Sequence, residues 1–68
     1  MATISSKLGR NLKRIRTAKK LSQGDIGKKL GLHRAYISGV EHGKRNPTLA
    51  TIEKIAVALG VSADELLK

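Results

Sequence analysis

The chain has 68 residues, no cysteine, and 14 Lys or Arg against five Asp or Glu, which gives a net charge of +9. This length provides for a single domain, residues 1–68, and the lack of cysteine excludes disulfides and thiolate metal sites. No apolar run approaches the ~20 residues that span a bilayer, and no secretory signal is visible, so we expect a cytoplasmic protein. No catalytic constellation is present, and His33 and His42 lack metal-ligand spacing. We therefore expect neither an enzyme nor a metal, cofactor or small-molecule site.

The excess positive charge lies in the first part of the chain. Residues 1–40 contain ten Lys or Arg and a single acid, Asp25, whereas residues 41–68 contain four of each sign. This asymmetry is typical of a face that meets a polyanion, although a merely solvated surface would look the same. Charge alone therefore suggests a nucleic-acid partner but does not distinguish this from a merely solvated surface.

Two helical patterns open the chain. The first is expected over Ser6–Lys20, capped by Ser5 or Ser6, with an apolar stripe formed by Leu8, Leu12 and Ile15. The second begins after the N-cap Ser22, carries Asp25 three residues later and ends at Gly31. Inside it, Gly24 and Gly27 each cost about 1 kcal/mol relative to alanine. We expect Gly27 to permit the close approach of another helix.

The third pattern runs from about Arg34 to His42 and is separated from the second by only Gly31, Leu32 and His33. A three-residue turn that contains glycine has the length expected of a helix-turn-helix. A loop at Gly43–Pro47 leads to a fourth helix, which is capped by Thr48 and ends at Gly60, and a capping box at Ser62–Glu65 predicts a short fifth helix. The sequence thus predicts a compact all-α bundle of five helices, in which the second and third form the helix-turn-helix.

The order and spacing of these residues resemble the phage repressor and Cro family of helix-turn-helix proteins. The similarity extends from Leu8 to Leu67, and its pattern comprises Leu21-Ser22-Gln23, Ile26-Gly27, Leu30-Gly31-Leu32, Tyr36-Ile37-Ser38, Val40-Glu41 and Gly43-Lys44. Within that family, residues 34–41 and 44–48 look like those of restriction–modification controller proteins. The resemblance implies a lambda-repressor-like fold and a transcriptional regulator. We expect this regulator to bind palindromic double-stranded operator DNA as a homodimer.

The resemblance also implies roles for individual residues. Gln23 matches a glutamine that contacts the DNA backbone, and Arg16 with Glu41 matches a buried ion pair that joins the first and third helices. The outward positions of the recognition helix, which face the base edges, are Arg34, Ala35, Ser38 and Gly39. The loop residues that grip phosphates are Lys44, Arg45 and Asn46, of which the last two could reach a base instead.

The residue types on the recognition helix suit these roles. The planar fork of Arg34 can bond O6 and N7 of guanine together, Ala35 can touch a thymine methyl group, and Ser38 can bond a base or a phosphate. Gly39 stands where a longer polar residue often reads a base, and its lack of a side chain would let the helix approach the DNA closely. The two further candidates for phosphate contacts are His33, alternatively a helix cap, and Tyr36, alternatively partly core.

The C-terminal part contains more apolar surface than so small a core can absorb. It predicts a two-fold dimer interface formed by Val57, Val61, Ala63, Leu66 and Leu67, with a monomer that buries these residues in its own core as the alternative.

Three further hypotheses about function compete. A membrane-surface peptide built on the basic helix lacks a Trp or Phe anchor, and an RNA-binding protein would have only one aromatic residue for base stacking. An antitoxin or adaptor of the same fold, whose main partner is a protein, stays open.

Overall fold

The computed structural model describes residues 3–68, so the first two residues of the predicted domain lie outside the described part of the chain. The chain forms five helices: α1 (Ile4–Ala18), α2 (Gln23–Leu30), α3 (Arg34–Glu41), α4 (Leu49–Leu59) and α5 (Ala63–Leu67). No strand occurs between residues 3 and 68. These elements confirm the predicted all-α, five-helix architecture. None of the described helices is long and apolar enough to cross a membrane.

The boundaries of α1 differ from those expected. The helix begins at Ile4 because the hydroxyl of Thr3 accepts a hydrogen bond from the backbone N–H of Ser6 at 3.1 Å, so the prediction of Ser5 or Ser6 as the N-cap is wrong. It ends at Ala18, two residues early, because Lys20 adopts a left-handed backbone with φ of 59°. A side chain in that conformation costs energy that glycine would avoid.

The helix-turn-helix forms as predicted, with one change of detail. Ser22 and Asp25 make a reciprocal capping box at the start of α2, and Gly31 ends the helix with φ of 68°. The three-residue turn then leads into α3, which ends one residue earlier than expected. A Cβ atom on Gly27 would lie 2.6 Å from the carbonyl oxygen of Leu32. The close approach that Gly27 permits is therefore to the turn and to the start of α3, where the backbone N of Arg34 would lie 3.4 Å away.

Side-chain and backbone contacts define the ends of the two C-terminal helices. The hydroxyl of Thr48 accepts from the N–H of Thr51 at 3.2 Å, and Gly60 ends α4 with φ of 72°. Ser62 occupies the N-cap position of α5 but makes no side-chain cap bond within the described chain, so the predicted capping box is wrong. The start of α5 instead rests on a backbone bond from Glu65 to the carbonyl of Ser62.

One apolar core joins all five helices. Helix α1 packs against α3 and α5, α2 packs against α3 and α4, and α4 packs against α5. The buried apolar residues are Leu8, Leu12, Ile15, Ile26, Ile37, Val40, Ile52, Ile55, Ala56, Leu59 and Leu66. This packing leaves one side of α3 free and points it away from the core.

Gly9 sets the distance between α1 and α3. A Cβ atom at this position would collide with the carbonyl oxygen of Glu41 and would lie 2.6 Å from that of Val40. Both obstacles are backbone atoms, which cannot move aside without shifting α3. Gly9 therefore allows a closer approach of the two helices than any other residue would permit.

We expect Gly9→Ala to lower the free energy of unfolding by about 1–3 kcal/mol, since overpacking outweighs the gain in helix propensity. Gly24→Ala is the matched control. A Cβ atom there meets only the hydroxyl of Ser22, at 3.6 Å, so this variant should be as stable as the parent or more stable by up to about 1 kcal/mol. Thermal and urea unfolding measure both variants. Equal stabilisation by the two substitutions would contradict the role given to Gly9.

Candidate nucleic-acid interface

A buried carboxylate joins the three N-terminal helices. Glu41, the last residue of α3, exposes 2% of its side chain and accepts from Arg16 Nε at 2.5 Å and from Arg16 Nη2 at 3.1 Å. The same carboxylate accepts from Nε2 of Gln23 at 3.0 Å, while Arg16 Nη1 donates to the carbonyl of Leu21 at 2.8 Å. The expected pair of Arg16 and Glu41 is thus present. The bond from Gln23 was not anticipated from the sequence.

The charges of this pair stabilise each other. Burial by itself raises the pKa of the Glu41 carboxyl, but hydrogen bonds from Arg16 and Gln23, with the charges of Arg16 and Lys13, hold that pKa below its usual value. The hydrogen bond to Glu41 in turn raises the pKa of the Arg16 guanidinium. Both groups are therefore charged at neutral pH, and the stability they contribute is lost only in acid.

A shallow cleft opens beside this network, at the N-terminus of α2. Its lining consists of Arg16, Ser22, Gln23, Gly24 and Arg34. The positive end of a helix and the exposed guanidinium of Arg34 make such a place favourable for an anion, whereas the charge of Arg16 is balanced by Glu41. The cleft brings Gln23, predicted to contact the DNA backbone, next to Arg34, predicted to read a base.

The outward side of α3 holds the other predicted base-reading residues. Arg34 and Ala35 are exposed, and Ser38 and Gly39 are half-buried. His33 is the N-cap residue of α3, as one of its two alternative roles has it, but its exposed side chain makes no cap bond within the described chain. At the other end of α3, Nδ1 of His42 lies 2.8 Å from the Ser38 carbonyl oxygen and 3.4 Å from its hydroxyl.

The loop after α3 is held against the two helices it passes. The N–H of Lys44 donates to the carbonyl of Gly39 at 2.9 Å, and the hydroxyl of Ser5 donates to Oδ1 of Asn46 at 3.3 Å. The side chains of Lys44, Arg45 and Asn46 are all exposed. This places the predicted phosphate-gripping residues along the same side of the molecule as α3.

Arg45 extends from this loop across α3. Its guanidinium carbon lies 5.7 Å from the ring centroid of Tyr36, and its Cγ lies 2.8 Å from the point where a Cβ of Gly39 would be. The space beside Gly39 is therefore occupied by the side chain of Arg45 in the free protein. Close approach of the helix to DNA at Gly39 stays a prediction.

The predicted dimer interface is only partly exposed. Val57 exposes 79% of its surface, whereas Val61, Ala63 and Leu67 are half-buried against the protein's own core. Leu66 is fully buried, because α5 folds back onto α1, where Nδ2 of Asn11 donates to the Leu66 carbonyl at 2.8 Å. The prediction of Leu66 as an interface residue is wrong.

Comparisons with known proteins identify the same pattern. The family model described as helix-turn-helix, HTH_3, matches residues 12–66. The control protein C.BamHI of Bacillus amyloliquefaciens is 45% identical over 60 residues, which are 87% of this chain and 74% of that protein.

Two crystal structures of restriction–modification controller proteins share the fold. C.AhdI from Aeromonas hydrophila superposes with a TM-score of 0.87 at 45% identity, covering 91% of this chain and 94% of that chain. C.Esp1396I, a tetramer in complex with its natural 35 base-pair operator, superposes with a TM-score of 0.82 at 36% identity, covering 100% of both chains.

Glu41→Ala should lower the free energy of unfolding at pH 7 by about 3 kcal/mol, because it leaves the Arg16 charge without its buried partner. Glu53→Ala, which removes an exposed carboxylate on α4, should change it by less than about 0.5 kcal/mol. Thermal unfolding across pH tests both. Since the folded-state pKa of Glu41 is depressed, its contribution is complete above the unfolded value near 4.3 and disappears as pH falls through the folded value. Equal melting temperatures for the two variants at pH 7 would contradict this role.

Proposed function

This chain belongs to the helix-turn-helix family, and we propose that it is a transcriptional regulator that binds palindromic operator DNA as a homodimer, with α3 in the major groove. One observation carries the proposal. The cleft at the start of α2 includes Arg34 of the first turn of α3, and Arg45 of the loop Gly43–Pro47 lies over Tyr36 and Gly39, so that cations flank α3 on both sides. Such a regulator acts in the cytoplasm, where the DNA is, and its activity is binding without catalysis.

The acidic residues of the chain either are engaged in hydrogen bonds or lie on other helices. Glu41 is buried in its ion pair, and the carboxylate of Asp25 is engaged by the N–H of Ser22. The remaining acids, Glu53, Asp64 and Glu65, belong to α4 and α5. A phosphate backbone that approaches α3 therefore meets Arg34, Lys44 and Arg45, none of which forms an ion pair within the described chain.

The residues around α3 suit contacts to phosphate. The cleft at the start of α2 offers a helix N-terminus together with Arg34 and the second N–H of the Gln23 amide, the first being bonded to Glu41. On the other side, Lys44 and Asn46 are exposed on a loop whose backbone is bonded to α3. Contacts of this kind position a protein on the duplex without reading its sequence. His33 and Tyr36, next to these groups, would make further contacts to phosphate.

The first turn of α3 is where the helix would read bases. A major groove about 12 Å wide admits an α-helix, and the residues near the N-terminus of a recognition helix contact the base edges. Arg34 is exposed there, where its guanidinium can bond guanine O6 and N7 together. Ala35 and Ser38 are small enough to let the helix enter deeply, and they can contact a thymine methyl group and a base or phosphate.

Two copies of the chain are needed to locate a site. One recognition helix reads few base pairs, whereas two copies related by a two-fold axis read half-sites about 34 Å apart, one turn of the duplex. The oligomeric complex of C.Esp1396I with its operator supports this arrangement for a chain of the same fold. Val57, with the half-buried Val61, Ala63 and Leu67, is the apolar surface we assign to the contact between copies.

Selection of bound duplexes from a random DNA pool tests the proposal. We expect an imperfect palindrome with half-sites about one helical turn apart, and sedimentation should show two copies of the chain on each duplex. Arg34→Ala should weaken the free energy of DNA binding by about 1–3 kcal/mol, through lost recognition of one base pair in each half-site. Lys44→Ala should weaken binding to every duplex and reduce the salt slope by about one.

Lys54→Ala is the matched control, since it removes an exposed lysine of α4, away from α3. It should leave discrimination between duplexes unchanged. A pool that yields no common sequence, or equal losses on selected and random DNA for Arg34→Ala, would refute the assignment. A single copy of the chain on each duplex would refute the two-fold arrangement.

A further inference from the structure

His42 extends one edge of the outward side of α3 by a further turn, as the C-cap residue of that helix. Arg34, Ser38 and His42 follow one another at intervals of four residues, which places their side chains along the same edge. Eight residues of α-helix rise about 12 Å, which is also about the width of the major groove. When Arg34 meets base edges, the His42 ring therefore lies at the wall of the groove, where the phosphate backbone runs.

The ring of His42 is held in one orientation by the preceding turn of the helix. Its Nδ1 atom lies 2.8 Å from the Ser38 carbonyl oxygen, and the residue is exposed. A carbonyl oxygen only accepts hydrogen bonds, so Nδ1 carries a hydrogen and donates it. Nε2 is therefore the nitrogen that gains or loses a proton when the ring changes its charge. In the neutral ring Nε2 has a lone pair, and in the charged ring it donates an N–H bond.

Two opposing influences act on the charge of this ring in the free protein. The C-terminal end of α3 has a partial negative charge, which favours a cation. The charged groups on the elements that meet at this end of the helix are mostly cations, which oppose it; they are Arg16 and Lys13 of α1, Lys44 and Arg45 of the loop, and Glu41, whose carboxylate is paired with Arg16. The contribution of α2 is the neutral amide of Gln23. A phosphate beside Nε2 would offset the repulsion and add a charge-assisted hydrogen bond.

We propose that His42 is a phosphate contact that acts through its protonated ring, so that DNA binding takes up a proton. The inference depends on the proposed function only in placing α3 against DNA, and it adds a pH dependence to that binding. The neutral ring would turn a lone pair toward the phosphate oxygen, whereas the charged ring donates to it. His33 lies at the opposite end of α3, where the partial positive charge of the helix opposes a cation. The two histidines should therefore respond differently to pH.

Affinity for DNA measured across pH tests this assignment. We expect the parent protein to bind a selected duplex about 3- to 10-fold more tightly at pH 6 than at pH 8, because one proton is bound together with the DNA. His42→Gln has a polar side chain that cannot become charged, so its affinity should match the parent at pH 8 and lack the increase at pH 6. His33→Gln, which removes the other histidine, is the matched control and should retain the increase. Glu41 stays ionised throughout this range, because its pKa lies below its usual value.

Two further measurements separate a phosphate contact from a merely structural role. At pH 6 the salt slope of the parent should exceed that of His42→Gln by about one, and at pH 8 the two slopes should agree. Calorimetry at pH 7, in buffers with different heats of ionisation, should show that the parent takes up more protons on binding than His42→Gln does. Thermal unfolding at both pH values verifies that each variant is folded.

An affinity of the parent that stays constant between pH 8 and pH 6 would refute the inference. An increase that His42→Gln retains, or one that His33→Gln abolishes, would refute it as well. Loss of the increase with an unchanged salt slope would make the ring a base contact and overturn its assignment to phosphate. Because a phosphate contact does not read sequence, the pH dependence should also appear on random duplexes. A parent that shows this dependence but prefers no sequence would refute the proposed function alone.

Discussion

The arrangement of the DNA-facing surface depends on one buried carboxylate. Glu41 ends α3, and its two oxygens accept bonds from Arg16 on α1 and Gln23 on α2. Breaking a buried pair leaves an uncompensated charge, which is far more costly than losing a surface ion pair. The three helices therefore hold a common position, and the outward side of α3 is presented in a fixed relation to the cleft at α2. A regulator that must fit a rigid groove gains from such preorganisation.

Close backbone contacts reinforce this constraint. Gly9 brings α1 against the carbonyls at the end of α3, and Gly27 brings α2 against the turn that precedes α3. A chain of 68 residues buries only a modest core, so little of its rigidity can come from apolar packing alone. Because glycine has no side chain, the backbones of these short elements can approach each other directly at both contacts. The same device recurs at Gly39, where the space admits a loop side chain.

Local patterns explain why the helices could be predicted and their tertiary contacts could not. Ser22 with Asp25, Thr48, Gly31 and Gly60 are short-range signals, and each marks a helix end in the structure. The pair of Arg16 and Glu41 came from family resemblance, since no local spacing connects residues 25 positions apart.

Several contacts that the sequence did not disclose are long-range. They include the bond from Gln23 to Glu41, 18 positions away, and the bond from Asn11 to the Leu66 carbonyl, 55 positions away. The second of these accompanies the burial of Leu66, which the local apolar pattern had placed at a dimer interface. Arg45 over Gly39 joins residues only six positions apart, but the path of a loop side chain likewise follows from the packed structure.

We infer that the Glu41 network holds a preformed DNA-binding face in the free protein. Nuclear magnetic resonance of the arginine Nε–H groups, recorded while a selected duplex is added, tests it most directly. We expect the Arg34 signal to shift strongly on binding, while the Arg16 signal stays protected from exchange in both states because its bond to Glu41 persists. An Arg16 signal that exchanges freely before DNA is added, or an Arg34 signal that stays unchanged at saturation, would contradict it.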